Sequence, residues 1–270
     1  MPALDYGPAV ASLFDDYCSF SEDVPFFEAL ARSAHGEVLE LMAGTGRVSI
    51  PMARAGAELT CVDLSVAMLS VLDRKRTGLG LPLSPACADA RALPFRPGRF
   101  GCAAVPFHGL SELLTAADRS AAIRAVHRVL RPGGTFVCTL HNPVVRVRSL
   151  DGAWRVLGEV PRTGGGSVRL SLRASWDPGS GLVVGEQRIE AFAPGAASPA
   201  DDLLLPLRFS LPSLDEALEL GRAAGFLPAS VFGDYSRSPY DPGTSPFAIV
   251  AFEKAAPAAR GGPSPAGTSG

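Results

Sequence analysis

Val38-Leu39-Glu40-Leu41-Met42-Ala43-Gly44-Thr45-Gly46-Arg47 is the stretch on which the fold turns. A short apolar run ends in a glycine-punctuated turn that leads into a helix. Such a turn lets a ligand approach the backbone closely, beside helix N–H groups that have no intrahelical partner. On these ten residues alone, an ordinary tight turn between strand and helix reads as well as a ligand loop. Pro51 falls inside the expected helix. A helix starting near Arg47 keeps that proline close to the first turn, where few backbone donors have a partner to lose.

Outward from this segment, the runs Val38–Met42, Leu59–Val62, Leu83–Ala88, Gly101–Pro106 and Thr135–Leu140 alternate with helical patterns. That alternation marks βαβ units and a parallel sheet buried on both faces, an α/β doubly wound architecture. Ser65 caps a helix that carries Met68, Leu69 and Leu72 on one face. A second helix begins near Thr115, gathers Ile123, Val126 and Leu130, and stops at Arg131-Pro132-Gly133-Gly134, a turn into the next strand.

After Asn142 the pattern changes period. Ser167–Trp176 and Leu182–Phe192 alternate polar and apolar residues around Asp177-Pro178-Gly179-Ser180-Gly181, which predicts an antiparallel hairpin, with Leu203–Leu211 as a third strand. Ser213-x-x-Glu216 is a capping box for a helix ended by Gly225, and strands near Ala229–Phe232 and Phe247–Phe252 follow. Ala255–Gly270, small and rich in Pro, Gly and Ser, reads as a disordered tail.

Three acids then fall at the ends of three successive strands. Glu40 ends the first, and Asp63 ends the second twenty-three residues later, where a carboxylate can accept from both hydroxyls of a ribose. Asp89 follows the third in Ala88-Asp89-Ala90-Arg91-Ala92-Leu93-Pro94-Phe95, placed to accept from an adenine amino group. Strand ends of an open α/β sheet line one crevice, so the set describes one adenosine site better than three unrelated acids.

The order of these segments, together with Val105-Pro106-Phe107 and Leu130-Arg131-Pro132-Gly133-Gly134, resembles the class I S-adenosylmethionine (SAM)-dependent methyltransferases, strongly over Val38–Pro143 and more weakly through Phe226–Phe252. The resemblance implies a Rossmann-like sheet, mostly parallel with an antiparallel last strand, and a small antiparallel β cap inserted after strand five. It implies that Glu40, Ala43, Gly44, Thr45 and Gly46 hold the methionine portion of SAM and that Asp63 holds the ribose. Leu64 and Met68 would pack on the adenine with Asp89 and Ala90 at its edge, and Pro106 would also touch the cofactor. Met42 stands where the family pattern has its first glycine. The segment after strand five resembles the cap of small-molecule methyltransferases, which with an N-terminal lid encloses the acceptor. Tyr6, Phe14, Tyr17, Phe107 and Trp154 are expected in that lid or pocket. The implied organisation is a lid at 1–37, a SAM-binding core at 38–145, the cap at 146–212 and the remainder of the core at 213–254.

His108 and His141 follow the fourth and fifth strands at the functional edge and have an intrinsic pKa suited to a general base or an acceptor contact. Ordinary turn and strand-end roles compete for both. A nicotinamide-dependent oxidoreductase fits less well, because Gly44-Thr45-Gly46-Arg47-Val48-Ser49 lacks the third glycine of that fingerprint and Asp89 would have no role. A SAM-binding enzyme that does not transfer methyl, such as a cyclase, stays open.

With 25 basic and 27 acidic residues and a formal charge of -2, the chain has no basic stripe for phosphates, and Val105-Pro106-Phe107-His108 does not resemble the box of base-modifying amino-methyltransferases. Nucleic acid is therefore not expected as a partner, nor is a membrane, since no apolar stretch approaches spanning length. The five cysteines lack Cys-x-x-Cys spacing and the four histidines lack metal-cage spacing, which reads as reduced core thiols, no metal and a cytoplasmic protein. A homodimer is compatible with the sequence.

Overall fold

The glycine turn does connect a strand to a helix. The computed structural model describes residues 6–162 and 164–256. Strand β1 (Val38–Leu41) leads through it into α3 (Ser49–Arg54), preceded in the chain by α1 (Pro8–Tyr17) and α2 (Val24–Ser33). There follow β2 (Leu59–Asp63), α4 (Val66–Leu79), β3 (Leu83–Cys87), β4 (Phe100–Val105), α5 (Ala116–Val129), β5 (Leu130–His141) and the short α6 (Pro143–Arg146). Four strands come next: β6 (Arg155–Pro161), β7 (Ser167–Asp177), β8 (Leu182–Phe192) and β9 (Asp201–Ser210). The chain then returns through α7 (Leu214–Ala223), β10 (Phe226–Phe232) and β11 (Phe247–Lys254).

The main sheet has the order β10-β11-β5-β4-β1-β2-β3. β11 runs antiparallel to both neighbours, and the pairs among β1 to β5 are parallel. The chain winds outward from β1 to β3 and then back across to β4, so the order reverses between β1 and β4. In such sheets a crevice opens there, beyond the carboxyl ends of the strands. Helices cover both faces. Leu39, Leu41, Phe136, Val250 and Phe252 meet Ile123 and Val126 of α5 and Ala217 of α7. On the other face Val38, Leu59, Cys61 and Ile249 meet Phe27 of α2, Met52 of α3 and Leu72 of α4.

Local chemistry fixes the helix starts. Ser65, Thr115 and Ser213 each accept from the backbone N–H three residues on, at 3.1 Å in each case. Glu216 leaves the second half of its capping box unmade and pairs with Arg119 at 2.6 Å. The helix after the glycine turn starts at Ser49 instead of Arg47, which leaves Pro51 in its first turn. The expected stop at Arg131–Gly134 takes an unforeseen form: β5 already pairs at Leu130↔Phe100, loops out these four residues opposite Gly101, and resumes at Thr135↔Cys102. A side chain on Gly101 would place its Cβ 1.9 Å from the His35 carbonyl oxygen.

The separate sheet after β5 is antiparallel, in the order β6-β7-β8-β9. Its hairpin and third strand were legible; β6 was not foreseen, because only Val160 in it escapes full exposure. Cys61, Cys102 and Cys138 are buried in strands, whereas Cys87 is exposed and Cys18 half-buried. Among the described residues no helix is long and apolar enough to cross a membrane. The expected tail lies, from residue 257 onward, outside the described residues.

Candidate functional site

Backbone strain marks the carboxyl ends of β1 and β4. Among the described residues four that are not glycine have positive φ, and three of them, Met42 (57°), Phe107 (49°) and His108 (60°), lie just beyond these two strands. Left-handed backbone costs an ordinary residue about 1–2 kcal/mol and persists where surrounding structure enforces it, commonly at functional sites. Met42 therefore sits in a backbone conformation that glycine adopts without strain. Its side chain uses space that Gly109 leaves free: a Cβ on Gly109 would come within 2.7 Å of Met42 Sδ and 2.8 Å of Val105 Cγ1. Gly109→Ala should cost about 1–3 kcal/mol, and Met42→Gly, by emptying the same space, should recover roughly 1 kcal/mol of that loss. Denaturant unfolding of the two single variants and the double variant checks this; strict additivity would refute the shared space.

Gly44 and Gly46 take positive φ of 57° and 86°. Nothing stands within 4 Å of a Cβ built on Gly44, so its backbone faces open space that a ligand can use. Its N–H donates to Asp63 Oδ2 at 2.8 Å, and Oδ1 of the same carboxylate accepts from Ser65 N–H at 2.8 Å. Asp63 thus joins the β1 turn to the start of α4. Leu64 beside it is 62% exposed, an uncovered apolar side chain at the rim of the crevice. Asp89 is gripped by Arg91, whose Nη1 also reaches Asp118 at 2.7 Å; that pairing holds its carboxyl below the usual range. Ala90 is buried. Pro106 ends in the buried floor between β4 and the strained Phe107-His108 pair.

Glu40 is 2% exposed and accepts from Ser49 Oγ at 2.5 Å. Burial pushes its carboxyl up to about 8, against the opposing pull of Ser49 and Arg47. Because the folded value exceeds the ordinary one, the stability contributed by neutral Glu40 is fully present below about pH 4.3 and is lost as pH rises through about 8. The ligand-free protein should melt lower at pH 8 than at pH 6, and Glu40→Gln should flatten part of that decline. Equal slopes in a thermal melt series would contradict it.

The first helix lies over this crevice. Asp15 of α1 accepts from Thr45 Oγ1 at 2.6 Å and pairs with Lys75 at 2.6 Å, Tyr6 O accepts from Ser65 Oγ at 2.6 Å, and Asp16 pairs with Arg162 beside the small sheet at 2.9 Å. Tyr6, Phe14, Tyr17 and Met68 pack together with Val168 and Ile189 of the small sheet. Met68 is therefore covered by α1, and Tyr17 has Gln187 of β8 as its polar neighbour. Trp154 stands apart from this group, half-exposed with the Arg173 guanidinium 5.1 Å from its ring.

His108 and His141 are stacked, ring centroids 3.6 Å apart. Burial lowers both, His141 to about 3, and keeps both imidazoles neutral. Phe107 is 41% exposed under the Arg47 guanidinium, which a buried Asp23 holds at 2.6 Å. Glu112, absent from the sequence reading, accepts from the Tyr6 hydroxyl at 3.3 Å, and burial raises its carboxyl to about 7. Its place shortly after β4 was the only sequence signal for it.

The reversal of strand order, the open glycine turn tied to an acid at the end of β2, and the N-terminal helix bonded to both define a crevice in a doubly wound α/β fold. Residues 38–134 match the family model described as a methyltransferase domain. The chain is 32% identical over 157 residues to a demethylmenaquinone methyltransferase of Streptomyces avermitilis, covering 52% of this chain and 64% of that one. It is 36% identical over 117 residues to the enzyme of the same name from Mycolicibacterium vanbaalenii, covering 43% and 47%. The chain thus spans about half to just under two thirds of the length of these curated relatives. Among solved structures, the CcbJ methyltransferase of Streptomyces caelestis superposes with TM-score 0.75 at 24% identity, covering 93% of this chain and 98% of that one. The sugar N-methyltransferase KedS8 of a Streptoalloteichus species gives 0.71 at 18% identity, covering 92% and 94%. These likenesses extend over nearly the whole chain, and they establish the fold.

Proposed function

We propose that the protein is a SAM-dependent methyltransferase that methylates an O, N or C atom of a small molecule, working in the cytoplasm, with 1–37 as lid, 38–145 and 213–254 as core and 146–212 as cap. The observation that carries this reading is the Asp63 carboxylate bonded to Gly44 N–H beside open space, under a helix that closes the crevice. Asp63 would turn its oxygens to the ribose hydroxyls, and Leu64 would cover the adenine. Asp89 and Ala90 would border the ring, with Asp89 shared between it and Arg91. Glu40 and the Ala43–Gly46 backbone would hold the methionine portion, with Thr45 locked to the lid by Asp15.

Bound there, SAM supplies an electrophilic methyl group that a nucleophile displaces in line. The chain's own contribution is alignment and exclusion of water. Tyr6, Tyr17 and Phe107 would line the acceptor space; Trp154, exposed beside Arg173, would take part only at its margin. Neutral His108 and His141 would orient the acceptor as hydrogen-bonding groups. Glu112, poised to exchange a proton near neutrality, would take one from an acceptor that must lose it. The sugar and quinone acceptors in the names of similar proteins favour a small, ring-bearing substrate. Incubation with methyl-labelled SAM and panels of small amines, phenols and carboxylates tests the reading. Label in a product supports it, whereas unlabelled product or none from a protein that binds SAM would overturn methyl transfer.

A further inference from the structure

Arg146 is half-buried and, among the described residues, has no acidic partner. It closes α6, which Asn142 anchors by accepting from Val144 N–H at 3.1 Å and donating to the Pro242 and Ser245 carbonyls at 3.0 and 2.8 Å. Its guanidinium lies 5.9 Å from the Phe209 ring, and the His141 ring lies 5.9 Å from Phe209 as well. His108, stacked on His141, adds Phe247 at 5.0 Å. Four aromatic rings and one guanidinium thus form a single cluster beyond the ends of β4 and β5.

Among the described residues the guanidinium makes one hydrogen bond, from Nη1 to Ser149 Oγ at 3.2 Å. Arg146 Nε and His108 Nδ1 are buried with no partner. By contrast, Arg47 has Asp23 at 2.6 Å and Arg119 has Glu216 at 2.6 Å. The acid in the same stretch of chain, Asp151, is occupied by Arg155 at 2.6 and 2.7 Å. The small cavity onto which Arg146 opens is shared with Ser149 and the Asp151-paired Arg155, with Leu150, Leu157 and Leu172 as its apolar walls. Desolvation without a partner disfavours the charged guanidinium and lowers its pKa. Leaving a buried guanidinium N–H without a partner costs free energy, a cost that an anion supplied from outside lowers.

We propose that Arg146 receives a carboxylate of the methyl acceptor, held beside Phe209 and the stacked His108–His141 pair; the inference rests on the methyltransferase reading and narrows its substrate to an acid. The planar fork of a guanidinium matches a carboxylate in two hydrogen bonds. The flanking rings suit a flat apolar body next to that group. His108 Nδ1 supplies a further polar contact from the same side chains that mark the end of β4.

The test uses the full chain, with benzoate as probe and benzamide as its uncharged twin, read by the Arg Nε–H and histidine ring resonances in NMR. Benzoate should shift the Arg146 resonance saturably, with a dissociation constant on the order of millimolar, and benzamide should not. Arg146→Gln should weaken benzoate about tenfold or more, Arg146→Lys should keep part of the affinity, and exposed Arg148→Gln should leave it unchanged. Arg146→Gln should melt no lower than the parent, since it removes a partly buried cation that has no acidic partner. A markedly lower melting temperature would make Arg146 a structural member and overturn the inference, as would equal response to benzamide or a preference for inorganic phosphate. SAM binding is measured on the same samples. If SAM binds and benzoate is silent, this inference alone fails; if SAM does not bind, the wider reading fails.

Discussion

Asp63→Ala should remove more than a hundredfold of the affinity for SAM, about 3 kcal/mol, a loss of two charge-assisted hydrogen bonds to a ribose. Two effects reinforce each other. The carboxylate is the group placed to accept from the hydroxyls, and it also holds the Gly44 and Ser65 N–H groups at 2.8 Å each, fixing the turn against α4. Alanine would leave both donors without that acceptor and the glycine turn free to shift. Asp63→Asn separates the roles: its single amide oxygen can keep one N–H, while its NH2 opposes the other. It should melt closer to the parent than Asp63→Ala does and still bind SAM poorly. Titration calorimetry with parallel melts reads both, and near-parental affinity in Asp63→Ala would place the adenosine elsewhere.

Gly46→Ala should be the most damaging single change in the turn, at about 3 kcal/mol or more of stability. Its Cβ would stand 2.3 Å from Leu72 Cδ1, and its φ of 86° already lies where side chains are strained. Leu72 is fully buried between sheet and α4, so it has nowhere to retreat. Gly44→Ala supplies the contrast, because its Cβ meets nothing within 4 Å. That variant should pay only the backbone penalty, about 1–2 kcal/mol, while intruding on the space assigned to the cofactor. Denaturant unfolding should rank Gly46→Ala well below Gly44→Ala, and SAM binding should suffer in both. Equal stabilities would mean that α4 does not press on the turn.

What could be read from the sequence was what local chemistry decides. Ser65, Thr115 and Ser213 cap their helices from three residues away, and the alternation around Asp177–Gly181 fixes a hairpin whatever it packs against. The crevice followed from acids at strand ends, because sheet topology alone brings those ends together. Features settled by distant contacts were not legible. β6 has almost no buried face to give it a period. Glu112 acquires its raised pKa through burial, against the opposing hydrogen bond of Tyr6, 106 residues away. Met42 was visible as a departure from a glycine pattern, but its accommodation depends on the side chain that Gly109 lacks. Arg146 looks like any arginine until the return of β9 sets Phe209 against it.

The central claim is that the crevice between β1 and β4 holds SAM through Asp63 and the glycine turn. Calorimetry of the intact chain with SAM, S-adenosylhomocysteine and NAD tests it most directly. The expected result is one molecule of SAM or S-adenosylhomocysteine per chain, weakened more than a hundredfold by Asp63→Ala, and no heat from NAD. A folded protein that binds NAD, or that takes up SAM undiminished without Asp63, would contradict it.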